Sequence, residues 1–131
     1  MMSLKTHNLF DYAGAAFLAL CPWIFGFQYV DPARAVFVTL GLSLAVYSGL
    51  TRYRYSLVKF IPLGVHMFLD AAIGVILMLA PSIFGYRDLI SGSQYLLHFV
   101  CGLGALGLVA FTRPRAEESV TGQREPLKRV A

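Results

Sequence analysis

The chain has 131 residues, of which 57% are apolar before its 12 glycines are counted and only 14% are charged. A soluble domain is about 45–50% apolar with glycine included and about 25% charged, so this composition excludes a water-soluble globule and a disordered chain. Ten charged residues lie in the first 112 positions and eight in the last 19, which indicates a polytopic helical membrane protein with a charged tail.

Four apolar stretches are long enough to cross a bilayer, since a span needs about 20 residues and its backbone amides must be paired within a helix. In chain order they cover residues 3–21, 33–51, 61–80 and 93–112. In the first stretch Lys5 precedes an apolar run, as a basic residue precedes the apolar core of a signal peptide. However, Asp11 interrupts the run and no A-x-A cleavage site comes after it. We therefore expect a mature helix there.

The lysines and arginines are divided unevenly between the two sides of the predicted spans. Nine lie on the side of the two chain ends, and only Arg34 and Arg87 lie on the other side, each close to an aspartate. The positive-inside rule therefore predicts that both termini are cytoplasmic. This topology accounts for the excess of basic over acidic residues, so we expect no nucleic-acid partner. Residues 114–131, which are charged and lack aromatic residues, are expected to form a flexible cytoplasmic tail.

The sequence contains an internal duplication at a constant offset of 59 positions, and both copies read H-x3-D-x10-P-x-I-F-G-[FY]. After a two-residue insertion the offset becomes 61, which aligns Thr51 with Thr112. Two tandem helical hairpins of the same orientation are predicted, residues 1–59 with the connecting loop and residues 60–113. The motif residues are His7, Asp11, Pro22, Phe25 and Gly26 in the first copy, and His66, Asp70, Pro81, Phe84 and Gly85 in the second.

A proline motif follows the first and the third predicted spans. It is Cys-Pro-Trp at positions 21–23 and Ala-Pro-Ser at positions 80–82. Two-helix units with such a motif resemble the SPW repeat family of small bacterial membrane proteins, although Cys replaces the family's Ser in the first copy and only the Pro remains in the second. The resemblance implies a multi-pass protein of the bacterial cytoplasmic (inner) membrane. It implies no biochemical activity and transfers no catalytic residue.

The proline motif also has a purely structural interpretation. Pro22 and Pro81 are expected to end or sharply kink their helices at the outer face. Gly26 and Gly85 then permit the chain to turn back. The aromatic residues around these turns are expected to anchor at the depth of the lipid headgroups; they are Trp23, Phe25, Phe27, Phe84 and Tyr86.

The spacing of four places His7 with Asp11, and His66 with Asp70, on single helix faces. An acid inside a membrane costs about 2.5–3.5 kcal/mol on insertion scales and by default indicates a function or a partner. Small residues continue the same faces, at positions 15 and 19 in the first span and position 74 in the third. We therefore expect the first and third spans to meet along these faces.

Three interpretations of the two aspartates are open. The first pairs Asp11 with Arg52 and Asp70 with Arg113, or pairs each aspartate with the histidine of its own helix. The second groups both aspartates with both histidines as a cation or proton site, which could hold a divalent metal. The third gives the aspartates capping or water-lined roles.

His98 lies about five residues into the fourth span from the outer side, too far from His66 for the two to clamp one haem. It could ligate a haem or a chlorophyll-type pigment by itself, and a histidine hydrogen-bonded among the helices is the simpler interpretation. The two cysteines form no C-x-x-C pair, and the chain has no phosphate-binding loop or catalytic motif, so we expect neither an enzyme nor a cofactor.

These patterns together predict an all-α membrane protein of four transmembrane helices with both termini cytoplasmic. We expect a non-enzymatic scaffold or accessory subunit that contacts the lipid bilayer and either other membrane subunits or further copies of itself. Two alternatives are open: an ion- or proton-handling protein that uses the Asp and His residues, and a pigment-associated subunit that uses His98.

Overall fold

The computed structural model describes residues 2–51 and 57–112. Three of its α-helices are long and apolar enough to cross a membrane, and α1 matches them in length but carries several polar residues in its first half. The helices lie within a few residues of the predicted spans, and a short 3-10 turn, Arg87–Leu89, precedes α4. They are α1 (Leu4–Ile24), α2 (Asp31–Leu50), α3 (Leu63–Ile83) and α4 (Gly92–Phe111).

The two motif prolines lie inside their helices. Of the two predicted outcomes, an end or a sharp kink of the helix, the first is wrong, because α1 continues past Pro22 to Ile24 and α3 continues past Pro81 to Ile83. The kink stays a prediction. A proline in the last turn of a helix removes only one backbone hydrogen bond, and the remaining bonds of that turn hold it in helical form.

Each of these helices closes at the glycine of the motif. Gly26 and Gly85 have φ angles of 74° and 68°, in the left-handed region that favours glycine, which confirms the predicted turns. The amides of Phe27 and Tyr86 then donate hydrogen bonds of 2.9 and 3.0 Å to the carbonyls of the two prolines. This closure satisfies carbonyls that the end of a helix would otherwise leave unpaired.

The residues after these glycines do not anchor in the headgroups as predicted. The side chains of Phe27 and Tyr86 are only 1% and 0% exposed, because the turn folds them back under the helices, where they pack near His98. The other aromatic residues of the motif are exposed, as an anchoring role requires; they are Trp23, Phe25 and Phe84.

The closest helix approaches lie within each hairpin, where α1 packs along α2 and α3 along α4. A Cβ added at Gly41 would lie 2.8 Å from the carbonyl oxygen of Ala15 and 2.7 Å from the amide of Ala19. At the equivalent crossing in the second hairpin, a Cβ added at Gly102 would lie 2.5 Å from the carbonyl oxygen of Gly74. The small residues expected to join α1 to α3 therefore join each of these helices to its hairpin partner.

The pseudo-symmetry breaks between the hairpins. Helix α2 packs against α3, but α4 makes no comparable contact with α1. Leu44 in α2 and Ile73 in α3 are buried, whereas the residues aligned with them are the smaller Ala105 in α4 and Gly14 in α1. Because these smaller side chains leave space, an apolar cleft of about 370 Å³ remains between α1 and α4, which we call the α1/α4 cleft.

Candidate functional site

The two histidines and two aspartates of the duplicated motif meet in one cluster. We call His7, Asp11, His66 and Asp70 the His–Asp centre. All four side chains are buried, with exposed fractions of 5% or less. One ligand atom from each lies within 4.8 Å of the others, because each helix presents its histidine and its aspartate one turn apart on the same face.

The contacts of the centre cross between the two repeats. The Nε2 atom of His7 lies 3.0 Å from a carboxylate oxygen of Asp70 and 3.3 Å from one of Asp11. The Nε2 atom of His66 lies 3.1 Å from an oxygen of each aspartate. Each imidazole therefore contacts the aspartate of its own helix and that of the other repeat, so the centre joins α1 to α3.

The predicted pairing of the aspartates with arginines involves two residues that the structure does not describe. Arg52 and Arg113 lie outside the described residues, so the pairing with Asp11 and Asp70 stays a prediction. The alternative contact, between each aspartate and the histidine four residues before it, is present in both helices at 3.3 and 3.1 Å.

Two buried threonines complete the centre and are not among the predicted site residues. The Nδ1 atom of His66 lies 2.8 Å from Oγ1 of Thr51, and Nδ1 of His7 lies 2.7 Å from Oγ1 of Thr112. Each threonine donates its only hydroxyl proton to the carbonyl four residues before it, at 2.6 and 2.5 Å. Its oxygen must therefore accept from the histidine, so both Nδ1 atoms carry a proton. The alignment of the two threonines at offset 61 is the sequence signal that identifies them.

Tyr47 makes the centre asymmetric. Its hydroxyl donates a 2.5 Å hydrogen bond to Oδ1 of Asp70, and its ring lies 4.9 Å from the ring of His66. The residue aligned with it in the second repeat is Leu108, which has no hydroxyl. The bond fixes one oxygen of Asp70 and leaves the other, Oδ2, facing both histidines.

The α1/α4 cleft reaches the His–Asp centre. Its lining includes Asp11, Asp70 and Tyr47, and the rest of its wall is mainly apolar. The volume of about 370 Å³ lies at the lower end of the range of about 300–1,000 Å³ that ligand pockets occupy. The centre is thus buried within the protein and borders a mainly apolar cleft between α1 and α4.

His98 lies apart from this centre in a second buried cluster. Its Nδ1–H donates to the carbonyl of Gln94 at 2.7 Å, and its Nε2 accepts from the hydroxyl of Tyr86 at 3.0 Å. Burial raises the pKa of Tyr86, which keeps this hydroxyl protonated as a donor. The rings of Phe27 and Phe37 pack against the imidazole. The nitrogen that a haem or pigment metal needs is therefore already hydrogen-bonded.

Comparison with known proteins points to one family. The family model of the SPW repeat domain matches residues 5–118, which include both hairpins. Neither the curated proteins nor the solved structures gave a match to this chain. The proline motifs at the ends of α1 and α3, the duplicated pair of helices and the extent of the match agree, and the chain belongs to the SPW repeat family.

Proposed function

We propose that this protein is a non-enzymatic scaffold or accessory subunit of a bacterial membrane assembly, with four transmembrane helices and both termini in the cytoplasm. The observation that carries the proposal is the incomplete packing of α4. Within the described ranges this helix packs mainly on α3, and it buries only His98 and Gly102 of its 20 residues. In a closed four-helix bundle every helix packs against two neighbours, so α4 has a face left for another component.

The α1/α4 cleft is the site that we assign to a partner helix. Association of helices in lipid depends on close van der Waals packing, which small residues permit. Gly14, Gly104 and Ala105 line the cleft, and a Cβ added at Gly104 would have no atom within 4 Å. Large apolar side chains of another transmembrane helix fit the space that these residues leave.

The His–Asp centre has a defined task in this role. Because its contacts cross between α1 and α3, it holds the two hairpins together at one end while the cleft between α1 and α4 stays open. A buried network of this kind specifies one arrangement of the helices, which is the property that a scaffold requires.

The proposal is tested by photo-crosslinking of the full chain in native membranes. A photoreactive amino acid is placed at Val100, which lines the cleft, or at Leu42 of α2, which does not line it; both positions are 58% exposed. We expect a discrete protein adduct from position 100 and none from position 42. A product of twice the chain mass identifies a second copy as the partner. Adducts to lipid alone at both positions would show that the proposed role is wrong.

A second pair of variants tests whether the partner occupies the cleft itself. Gly104→Leu fills the cleft, whereas Gly107→Leu adds the same side chain outside the cleft lining, and neither added Cβ meets an atom of the protein within 4 Å. We expect the adduct at position 100 to disappear in Gly104→Leu and to persist in Gly107→Leu. Persistence in both variants contradicts the assignment.

An ion- or proton-handling function is the second candidate, and the buried His–Asp centre beside the cleft favours it. It predicts cation- or pH-dependent flux in liposomes that is lost in Asp70→Asn. The pigment-associated function has no such support, since His98 is 0% exposed and Tyr86 already binds its Nε2 atom.

A further inference from the structure

We propose that the His–Asp centre binds one divalent transition-metal ion of the zinc class, held by His7, Asp11, His66 and Asp70. This goes beyond the scaffold function, since a scaffold could be held by hydrogen bonds alone. It assigns a metal site to residues that the duplication brings together from both repeats.

The first argument is the distance between the ligand atoms. Zinc–nitrogen and zinc–oxygen bonds of about 2.0–2.2 Å in a tetrahedron separate neighbouring ligand atoms by about 3.3–3.5 Å. In the centre, the four distances between Nε2 atoms and the nearest carboxylate oxygens run from 3.0 to 3.3 Å. Asp11 faces His7 through Oδ1 and His66 through Oδ2, and one ligand atom from each of the four residues lies within 4.8 Å of the others. To form a tetrahedral set of two nitrogens and two oxygens, the widest pair must close by up to about 1.4 Å.

The second argument is the placement of the protons. Because Thr51 and Thr112 accept from the Nδ1–H groups, an imidazole that gives up its Nε2 proton to a metal presents the lone pair of that atom to the middle of the centre. Histidines that bind metals characteristically donate their other ring N–H to an oxygen acceptor, which fixes the tautomer and the ring. Tyr47 fixes the carboxylate of Asp70 in a comparable way, with Oδ1 bound and Oδ2 directed inward.

The third argument is charge balance. Two neutral histidines and two carboxylates carry two negative charges, and burying them without cations is strongly unfavourable. A divalent ion cancels both charges. Without the ion, the same balance requires a proton on Nε2 of each histidine, so the bound metal replaces two protons and the net charge of the centre stays at zero.

The donor set determines the class of metal. Calcium takes six to eight oxygen ligands and magnesium demands octahedral coordination with most of its waters kept, so neither fits two imidazoles and two carboxylates. Imidazole nitrogens with carboxylates suit zinc and its neighbours in the transition series. Since the protein fills all four positions of a tetrahedron, the site resembles a structural rather than a catalytic metal centre.

The test uses the full chain without an affinity tag, purified in detergent and washed with chelator. Zinc is added and the bound ion is counted by elemental analysis, and cobalt serves as a probe because its visible absorption reports tetrahedral coordination. We expect one ion per chain in the wild type and in the control Asp31→Asn, which removes an exposed aspartate outside the centre. Asp70→Asn should lose binding by about tenfold or more.

A second set of variants keeps all four ligands. Thr51→Val removes the acceptor of the His66 Nδ1–H at nearly constant volume, and Thr51→Ser retains it. We expect zinc affinity to fall about 10- to 100-fold in Thr51→Val and to stay close to the wild-type value in Thr51→Ser. This pair decides the question if Asp70→Asn does not fold.

Two results would overturn the metal site. One is folded wild-type protein, helical by circular dichroism, that takes up no zinc or cobalt in the presence of excess ion. The other is zinc uptake that is the same in Asp31→Asn, Asp70→Asn and Thr51→Val. The scaffold function is judged separately by the adducts at position 100, so that its failure and that of the metal site are distinguishable.

Discussion

His7 and Thr112 are 105 positions apart in the chain and are joined by a hydrogen bond of 2.7 Å between Nδ1 and Oγ1. The repeat-related bond joins His66 to Thr51 at 2.8 Å. In both bonds the histidine comes from one repeat and the threonine from the other. Each hairpin thus supplies the threonine that binds the histidine of the other hairpin, and neither repeat by itself can form the centre.

The close helix crossing at Gly41 predicts that two glycine-to-alanine substitutions differ strongly in their effect on stability. Gly41→Ala places a Cβ within 2.8 Å of the α1 backbone, so we expect it to lower the free energy of unfolding by about 1–3 kcal/mol. Gly104→Ala, where the added Cβ meets no atom within 4 Å, should leave stability unchanged or raise it slightly. Unfolding of both variants by SDS in mixed micelles measures the difference. Equal stability of the two variants contradicts the crossing.

The hydroxyl of Tyr47 is expected to stabilise the folded protein. Tyr47→Phe removes the donor to Asp70, and hydrogen bonds to charged groups contribute about 1.5–3 kcal/mol. We expect a loss of that size in the same SDS unfolding assay. Tyr29→Phe, at a position 86% exposed, is the control and should have no effect. A wild-type unfolding curve for Tyr47→Phe would show that this bond does not contribute.

We expect the contribution of Tyr86 to the stability of the folded protein to be lost at alkaline pH. Burial raises the pKa of Tyr86 in the folded state, whereas an exposed tyrosine has a pKa of about 10. Its contribution is therefore fully present below about pH 10 and is lost above it, as ionisation of the unfolded chain favours unfolding. Tyr86→Phe loses the bond to His98 and should be about 1–3 kcal/mol less stable at neutral pH.

The difference in the free energy of unfolding between wild type and Tyr86→Phe should shrink above pH 10 by up to about 1.4 kcal/mol per pH unit. Unfolding curves at several pH values measure it, and Tyr29→Phe is the control because an exposed tyrosine adds no such slope. A difference that is constant from pH 7 to pH 11 would contradict the assignment.

Removal of the metal should destabilise the protein. An ion present at 100 times its dissociation constant stabilises the folded state by about 2.7 kcal/mol, so chelation should lower the unfolding midpoint of the wild type by a corresponding amount. The same chelator should not affect His66→Gln, which lacks one ligand. Acidification should weaken zinc binding because protons compete for the Nε2 atoms, and binding that is equal at pH 5 and pH 7.5 would count against histidine ligation.

Much of the fold could be predicted because two strong signals coincide. Length and hydropathy place the four helices, and the offsets of 59 and 61 pair them into two similar hairpins. The spacing of His7 and Asp11 places both on one face, which is a property of a single helix. Such predictions succeed because they depend only on residues close together in the chain.

The remaining features depend on contacts between distant residues. Phe27 and Tyr86 have the sequence pattern of headgroup anchors, but the turns direct them into the protein interior. The small residues of α1 face α2 rather than α3, because Gly41 allows the closest approach there. The rotation of one helix against another depends on side-chain fit across the interface, which the pattern of a single helix does not contain.

The sequence by itself determined that this is a duplicated membrane protein and that Asp11 and Asp70 are equivalent acids among few charges. Only the tertiary structure decided what surrounds them: the two histidines in crossed pairs, the two threonines from opposite repeats, and Tyr47 on one side alone. The physical reason is that a helix face determines which residues can meet a partner. Which partner they meet is decided by how four helices fill space together, and here they leave one cleft open beside the centre.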